Sequence, residues 1–218
     1  SLRWVATIPE PGADALTGDT EVLGGHYLQL ATAPGSTRSC RMGRRASDAA
    51  AMPFIHANEL TTFYRLDGRP EAEVLMLAHP LGANSEIWAA QVDALARRYR
   101  LLRYDLRGHG QTEVPDGPYD IATLAADAAG LMDALGIDRV SFVGASLGSL
   151  VGLALAETRP ERVERLVLLG ARARFGPAAA LEERTAVVAE RGVAAIVQAT
   201  LERWLTPAFH ARQPEVVE

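Results

Sequence analysis

The sequence predicts an α/β fold: a mostly parallel sheet with helices on both faces. Three observations carry that expectation. Short segments at residues 74–78, 100–104, 139–143 and 163–169 read as strands, with apolar runs at 74–78 and 139–143. They alternate with segments of helical period at 87–98, 121–135 and 147–158. Gly144-Ala145-Ser146-Leu147-Gly148 joins one such strand directly to one such helix. The chain has 218 residues, 48% of them hydrophobic, enough to bury one sizeable core.

Residues 1–52 differ from the rest. They are rich in Gly, Ala, Thr, Pro and Ser, lack sustained periodicity, and hold Arg38, Arg41, Arg44 and Arg45. They read as an irregular extension or linker. Residues 54–58 and 60–66 then read as an antiparallel strand pair, with a turn at Asp67-Gly68. The strand at 74–78 leads to the helix at 87–98, whose Ile87, Trp88, Val92 and Leu95 share one side. The strand at 100–104 closes at Asp105. The helix at 121–135 stops at Gly136. The strand at 139–143 feeds the Ser146 turn, the helix at 147–158 follows, and the strand at 163–169 comes next. After Gly170 the pattern is helical only, at 178–190, at 193–204 and from Pro207.

Composition narrows the function classes. Net charge is −5 and no face reads as a basic stripe, so nucleic acid is not an expected partner. No apolar run is long enough to span a bilayer, and no secretory signal is visible, which leads to an expectation of a cytoplasmic protein. A single cysteine, Cys40, leaves no internal disulfide and no cysteine-based metal cluster. All 22 basic residues are arginine. Without lysine there is no Schiff-base chemistry, no P-loop and no Ser-x-x-Lys pair.

The G-x-S-x-G stretch sits where a strand turns sharply into a helix. Such a turn lifts the Ser146 hydroxyl above the sheet, and small residues on either side let the two backbones approach. The helix start directs partial positive charge at whatever anion forms there.

Residues 53–218 resemble the α/β-hydrolase family, and more closely its 3-oxoadipate enol-lactonases. The resemblance rests on Leu77-Ala78-His79-Pro80-Leu81-Gly82, on Arg103-Tyr104-Asp105-Leu106-Arg107-Gly108-His109-Gly110, and on the Ser146 turn. Ala173-Arg174-Phe175-Gly176 and Arg203-Trp204-Leu205-Thr206-Pro207-Ala208-Phe209 are more particular to the enol-lactonases. It divides the chain into the N-terminal part of a hydrolase core at 53–170 and a partial helical cap at 171–218. It implies that Ser146 opens a small carboxylated lactone or ester through an acyl-enzyme, with no metal or organic cofactor. Backbone N–H groups of Leu147 and of the loop after residues 74–78 would hold the oxyanion. Pro80 has no N–H, so Leu81 is the second donor. His79 would shape that loop, and Asp105 and Arg107 would fix the next one. Arg174 would bind the substrate carboxylate in a fork geometry, and Trp204 would line an apolar roof.

The family's chain order is serine, acid, histidine. After Ser146 there is no aspartate, and the one later histidine, His210, falls in a cap helix. The sequence thus reads as a fragment that lacks its acid, its base and the last strands. An exposed sheet edge would then favour self-association. Two alternatives stand beside this reading: another carboxylic-ester hydrolase of the same fold, and a non-catalytic fragment that binds partners.

Overall fold

A computed structural model describes residues 3–6, 53–171 and 178–214. Seven strands form one sheet: β1 (Arg3–Ala6), β2 (Phe54–Ala57), β3 (Leu60–Asp67), β4 (Val74–Ala78), β5 (Arg100–Tyr104), β6 (Val140–Ala145) and β7 (Val163–Leu169). Their order is β1-β7-β6-β4-β5-β3-β2. The β1, β7, β6, β4 and β5 neighbours run parallel, while β3 and β2 are antiparallel. The helices of this part are α1 (Ala89–Leu95), α2 (Ile121–Ala134) and α3 (Leu147–Thr158).

Side-chain alternation along the buried strands fills both faces. Met76, Leu102, Tyr104, Phe142 and Leu166 pack with Leu124, Ala128, Leu131 and Met132 of α2 and Val151 and Leu155 of α3. On the opposite face Leu75, Leu77 and Leu101 pack with Trp88, and Val92 and Leu95 of α1 lean on them. Each strand residue is thus matched to a helix by parity alone.

Several elements differ from expectation for local reasons. The helix expected at 87–98 divides in two. Asn84 accepts from the Glu86 N–H and starts a 3-10 turn at Ser85–Trp88, and α1 follows. The strand under the Ser146 turn extends two residues further than expected. Gly144 and Ala145 continue the ladder opposite Leu168 and Leu169 of β7. The stretch at 1–52, read as irregular, supplies β1, with Trp4 opposite Leu166 and Val5 opposite Val167. Four residues are too few to show a period in sequence. The outer side of β7, expected as an open edge, therefore carries a parallel strand.

The chain forms two compact units, residues 1–171 and 172–218. The second contains α4 (Ala178–Arg191), a 3-10 turn at Val193–Ile196, α5 (Val197–Trp204) and α6 (Pro207–Arg212). Thr206 caps α6 by accepting from the Phe209 N–H, and Phe209 is buried. No described helix is long and apolar enough to cross a membrane.

Candidate active site

Ser146 stands between the end of β6 and the start of α3 with φ +51° and ψ −108°. An L-residue held in that region costs on the order of 1–3 kcal/mol, so the surroundings must over-determine it. They do so from three sides. The Ser146 N–H donates to the Leu169 carbonyl at 2.8 Å, which ties the turn to the end of β7. The buried Ser149 hydroxyl donates to the Gly144 carbonyl at 2.7 Å and also lies 3.1 Å from the Leu169 carbonyl. The Ser149 N–H returns to the Ser146 carbonyl at 3.0 Å.

The two glycines of the turn are explained by what a side chain would strike. A Cβ on Gly144 would collide with the Gly148 carbonyl, and one on Gly148 with the Ala78 carbonyl. The second contact sets the first turn of α3 directly against the end of β4. Ser146 itself remains exposed. Leu147, the first residue of α3, has no intrahelical acceptor for its N–H, as for every helix start.

The loop after β4 leaves the sheet beside this turn. Ala78 of β4 is in register with Gly144 of β6, and neighbouring strands lie about 4.8 Å apart. Leu81 lies three residues past Ala78 and is 42% exposed. The loop turns through an Ala83 N–H bond to the Pro80 carbonyl at 3.2 Å, with Gly82 at φ +78°. The structure thus brings the segments of Ser146, Leu147 and Leu81 to one end of adjacent strands.

Two buried side chains lock this loop to the one after β5. The Leu106 N–H donates to Nε2 of His79 at 2.9 Å, which leaves the ring proton on Nδ1. Nδ1 donates to the Pro80 carbonyl at 2.9 Å. Burial holds the ring down to a pKa of about 4, helped by the neighbouring His109 and opposed by the Pro80 carbonyl and Asp105. A neutral imidazole with both nitrogens engaged has a structural part in the loop. Asp105 is equally buried. Its two carboxylate oxygens accept from the Ser85 N–H at 2.7 Å and the Gln111 N–H at 2.8 Å, one in each loop. Its main-chain carbonyl accepts from the Thr112 hydroxyl at 2.7 Å. A Cβ at Gly110 would strike the Asp105 carboxylate.

Arg107 makes a two-pronged pair with Asp127 of α2, both bonds at 2.7 Å, and Asn58 donates to the same carboxylate at 2.7 Å. Ser149, Asp127 and Asn58 were not anticipated from sequence. A serine inside a helix signals a bond back to nearby carbonyls, which would have flagged Ser149. Asn58 and Asp127 are far apart in sequence and gave no signal.

The remaining expected residues belong to the second unit. Arg174 lies outside the described residues. Trp204 ends α5 in the second unit and is 46% exposed. His210 lies in α6 of that unit. Among the described residues no three His, Cys, Asp or Glu side chains come together as a metal-ligand set.

Comparison with known proteins places this geometry in a lineage. The α/β-hydrolase fold family matches residues 73–212. The chain belongs to that family. It is 35% identical over 173 residues to 3-oxoadipate enol-lactonase 2 of Acinetobacter baylyi, covering 77% of this chain and 65% of that protein. Among solved structures, the enol-lactonase of Burkholderia xenovorans LB400 is similar with TM-score 0.73 and 40% identity, over 76% of this chain and 64% of that one. A hydrolase from Pseudomonas aeruginosa PA01 is similar with TM-score 0.72 and 41% identity, over 78% and 65%. The chain thus spans slightly under two thirds of these relatives' length.

Proposed function

We propose that this chain carries the nucleophile and oxyanion site of a serine hydrolase that opens a small carboxylated lactone of the 3-oxoadipate enol-lactone type. The observation that carries the proposal is the backbone of Ser146: a strained, exposed serine at a strand-to-helix turn, held there by Leu169, Ser149 and two obligatory glycines.

In this reading Ser146 Oγ attacks the lactone carbonyl and gives up its proton to solvent water. The carbonyl electron pair moves to oxygen, and that oxyanion is met by the N–H groups of Leu147 and Leu81. Collapse breaks the ring C–O bond, leaves the acid as an ester of Ser146, and protonates the departing enolate oxygen. Water then releases the product. Each oxyanion donor is worth about 2.7–4 kcal/mol of barrier. The start of α3 adds its partial positive charge at the same point. Arg174 would bind the substrate carboxylate and Trp204 would face its apolar part. His79 is engaged at both nitrogens and does not take the part of the general base. Support for a lactone comes from the two enol-lactonases to which the chain is similar.

A serine-directed fluorophosphonate followed by mass spectrometry tests the nucleophile. Labelling is expected at Ser146 and absent from Ser146→Ala. Equal labelling of both proteins, or none of either, removes Ser146 from the chemistry. Hydrolysis of the enol-lactone against a simple p-nitrophenyl ester tests the substrate class. A preference for the simple ester rejects the carboxylated lactone.

A further inference from the structure

We infer that β1 is an exchangeable strand, and that the β7 edge takes β1 from a second copy of this chain in a reciprocal dimer. The exchange does not depend on the chemistry of Ser146.

The sheet order places β1 and β2 at opposite edges, six strand spacings apart, which is about 29 Å at about 4.8 Å each. Residues 7–53 join the two strands. Extended at about 3.3 Å per residue, a connection of that length reaches roughly 150 Å. It can bring β1 to the far edge of its own sheet or to the same edge of a neighbouring molecule. The other strands lack this freedom. β2 and β3 are closed by the turn between Ala57 and Leu60, which are themselves in register. β6 and β7 are joined by α3, whose Val151 and Leu155 pack with Phe142 and Leu166 of those strands.

β1 has β7 as its one neighbour in the sheet, and among the described residues no strand lies beyond it. Its four residues run parallel to residues 165–168 of β7. Such a ladder is made by main-chain groups, so β7 pairs with the same four residues equally well from either chain. The outcome then depends on concentration: that which the connection gives the chain's own β1, against that of the protein. A second copy is the occupant that brings the same register, Trp4 opposite Leu166 and Val5 opposite Val167. Exchange of an identical element also needs no new complementary surface. It reinforces itself. Once one β1 has crossed, its own β7 edge is open to the partner's β1, and the second crossing takes place within the pair.

Two single-cysteine proteins decide between the sources, each the full chain with Cys40→Ser. One carries Val5→Cys and the other, isotope-labelled, carries Val167→Cys. Positions 5 and 167 are in register, and neighbouring strands lie about 4.8 Å apart, within disulfide reach. Neither protein can form that link within itself. A disulfide between positions 5 and 167 after brief oxidation with diamide therefore reports β1 of one chain on β7 of another, and peptide mass spectrometry identifies it. Its yield is expected to rise on the order of tenfold between about 10 μM and about 1 mM protein, a range that reaches the effective concentration of a tethered segment. Light scattering of the unaltered chain is expected to show dimer growing over the same range.

A protein with both substitutions is the control, since its link closes within one chain or between two. A link that stays within the chain at every concentration, with none in the mixture, overturns the inference. So does the absence of a link in both, which would take β1 off β7. Dimers of the unaltered chain with no link in the mixture lie on another surface and overturn it as well. An unaltered chain that stays monomeric at about 1 mM does so without any variant.

Discussion

Ser146 and His79 show two ways in which a local cost is met by the surroundings. Ser146 is held at positive φ, where an L-residue is strained and glycine is not. Ser146→Gly should therefore raise unfolding free energy by about 1 kcal/mol while abolishing phosphonate labelling. Urea denaturation of the two proteins checks this, and a glycine variant less stable than wild type would show that the turn is not strained. His79 is kept neutral by burial, which lowers its pKa from 6.5 to about 4. The unfolded chain binds the proton first as pH falls. Stability from this group is thus complete above pH 6.5 and lost progressively toward pH 4. The full loss amounts to about 3 kcal/mol. Carboxylates also titrate below pH 5, so the comparison is with His79→Leu. The gap in stability between the two proteins should narrow by that amount between pH 7 and pH 4, and a constant gap would contradict it.

At the scale of elements, the active end of the sheet is built from pairs of loops that brace one another. Asp105 holds the loops after β4 and β5 together through two main-chain donors. Ser149 holds α3 to both β6 and β7. Ser149→Ala leaves those carbonyls without the hydroxyl and should cost about 1–3 kcal/mol. Its phosphonate labelling should slow as well, because the same hydroxyl pins the turn beneath Ser146. Labelling at the wild-type rate in a destabilised variant would separate the two effects. These braces mark the limit of what the sequence discloses. The strand at 74–78 was legible because its residues are apolar throughout, and those at 100–104 and 163–169 because Leu101-Leu102 and Leu166-Val167-Leu168-Leu169 keep a short apolar run beside the arginines. Gly144 and Gly148 were legible because close backbone approach admits nothing larger. Ser149, Asn58 and Asp127 were not, because a hydrogen bond between distant segments leaves no period and no spacing in the chain. Gly144 was read as the start of the turn after a strand ending at Val143, when it is part of that strand. Glycine signals a turn and a close approach with the same letter.

At the scale of the molecule, the first unit holds Ser146, Leu147, Leu81, His79 and Asp105 together, while Trp204 belongs to the second. The groups proposed as nucleophile and oxyanion donors therefore depend on one sheet, and the integrity of that sheet depends on its edges. β7 receives β6 on one side, and its other side is covered by four residues near the N-terminus. Backbone groups of a parallel strand alternate in direction, so every second amide of β7 relies on β1 for its partner. Residues 1–52 would then have a structural duty that their composition does not suggest. Removing them should expose the β7 edge, and an unpaired edge recruits another strand. Hydrogen exchange should show lost protection at alternate residues of β7 and retained protection in β4 and β5. Light scattering should show association that grows with concentration. A shortened chain that stays monomeric, with β7 protected as before, would mean that Arg3–Ala6 adds nothing to the sheet. The Ser146 turn gives an independent reading of the same event, because its N–H bonds to Leu169 at the end of β7. Fraying of that strand should lower the rate of phosphonate labelling in step with the loss of protection.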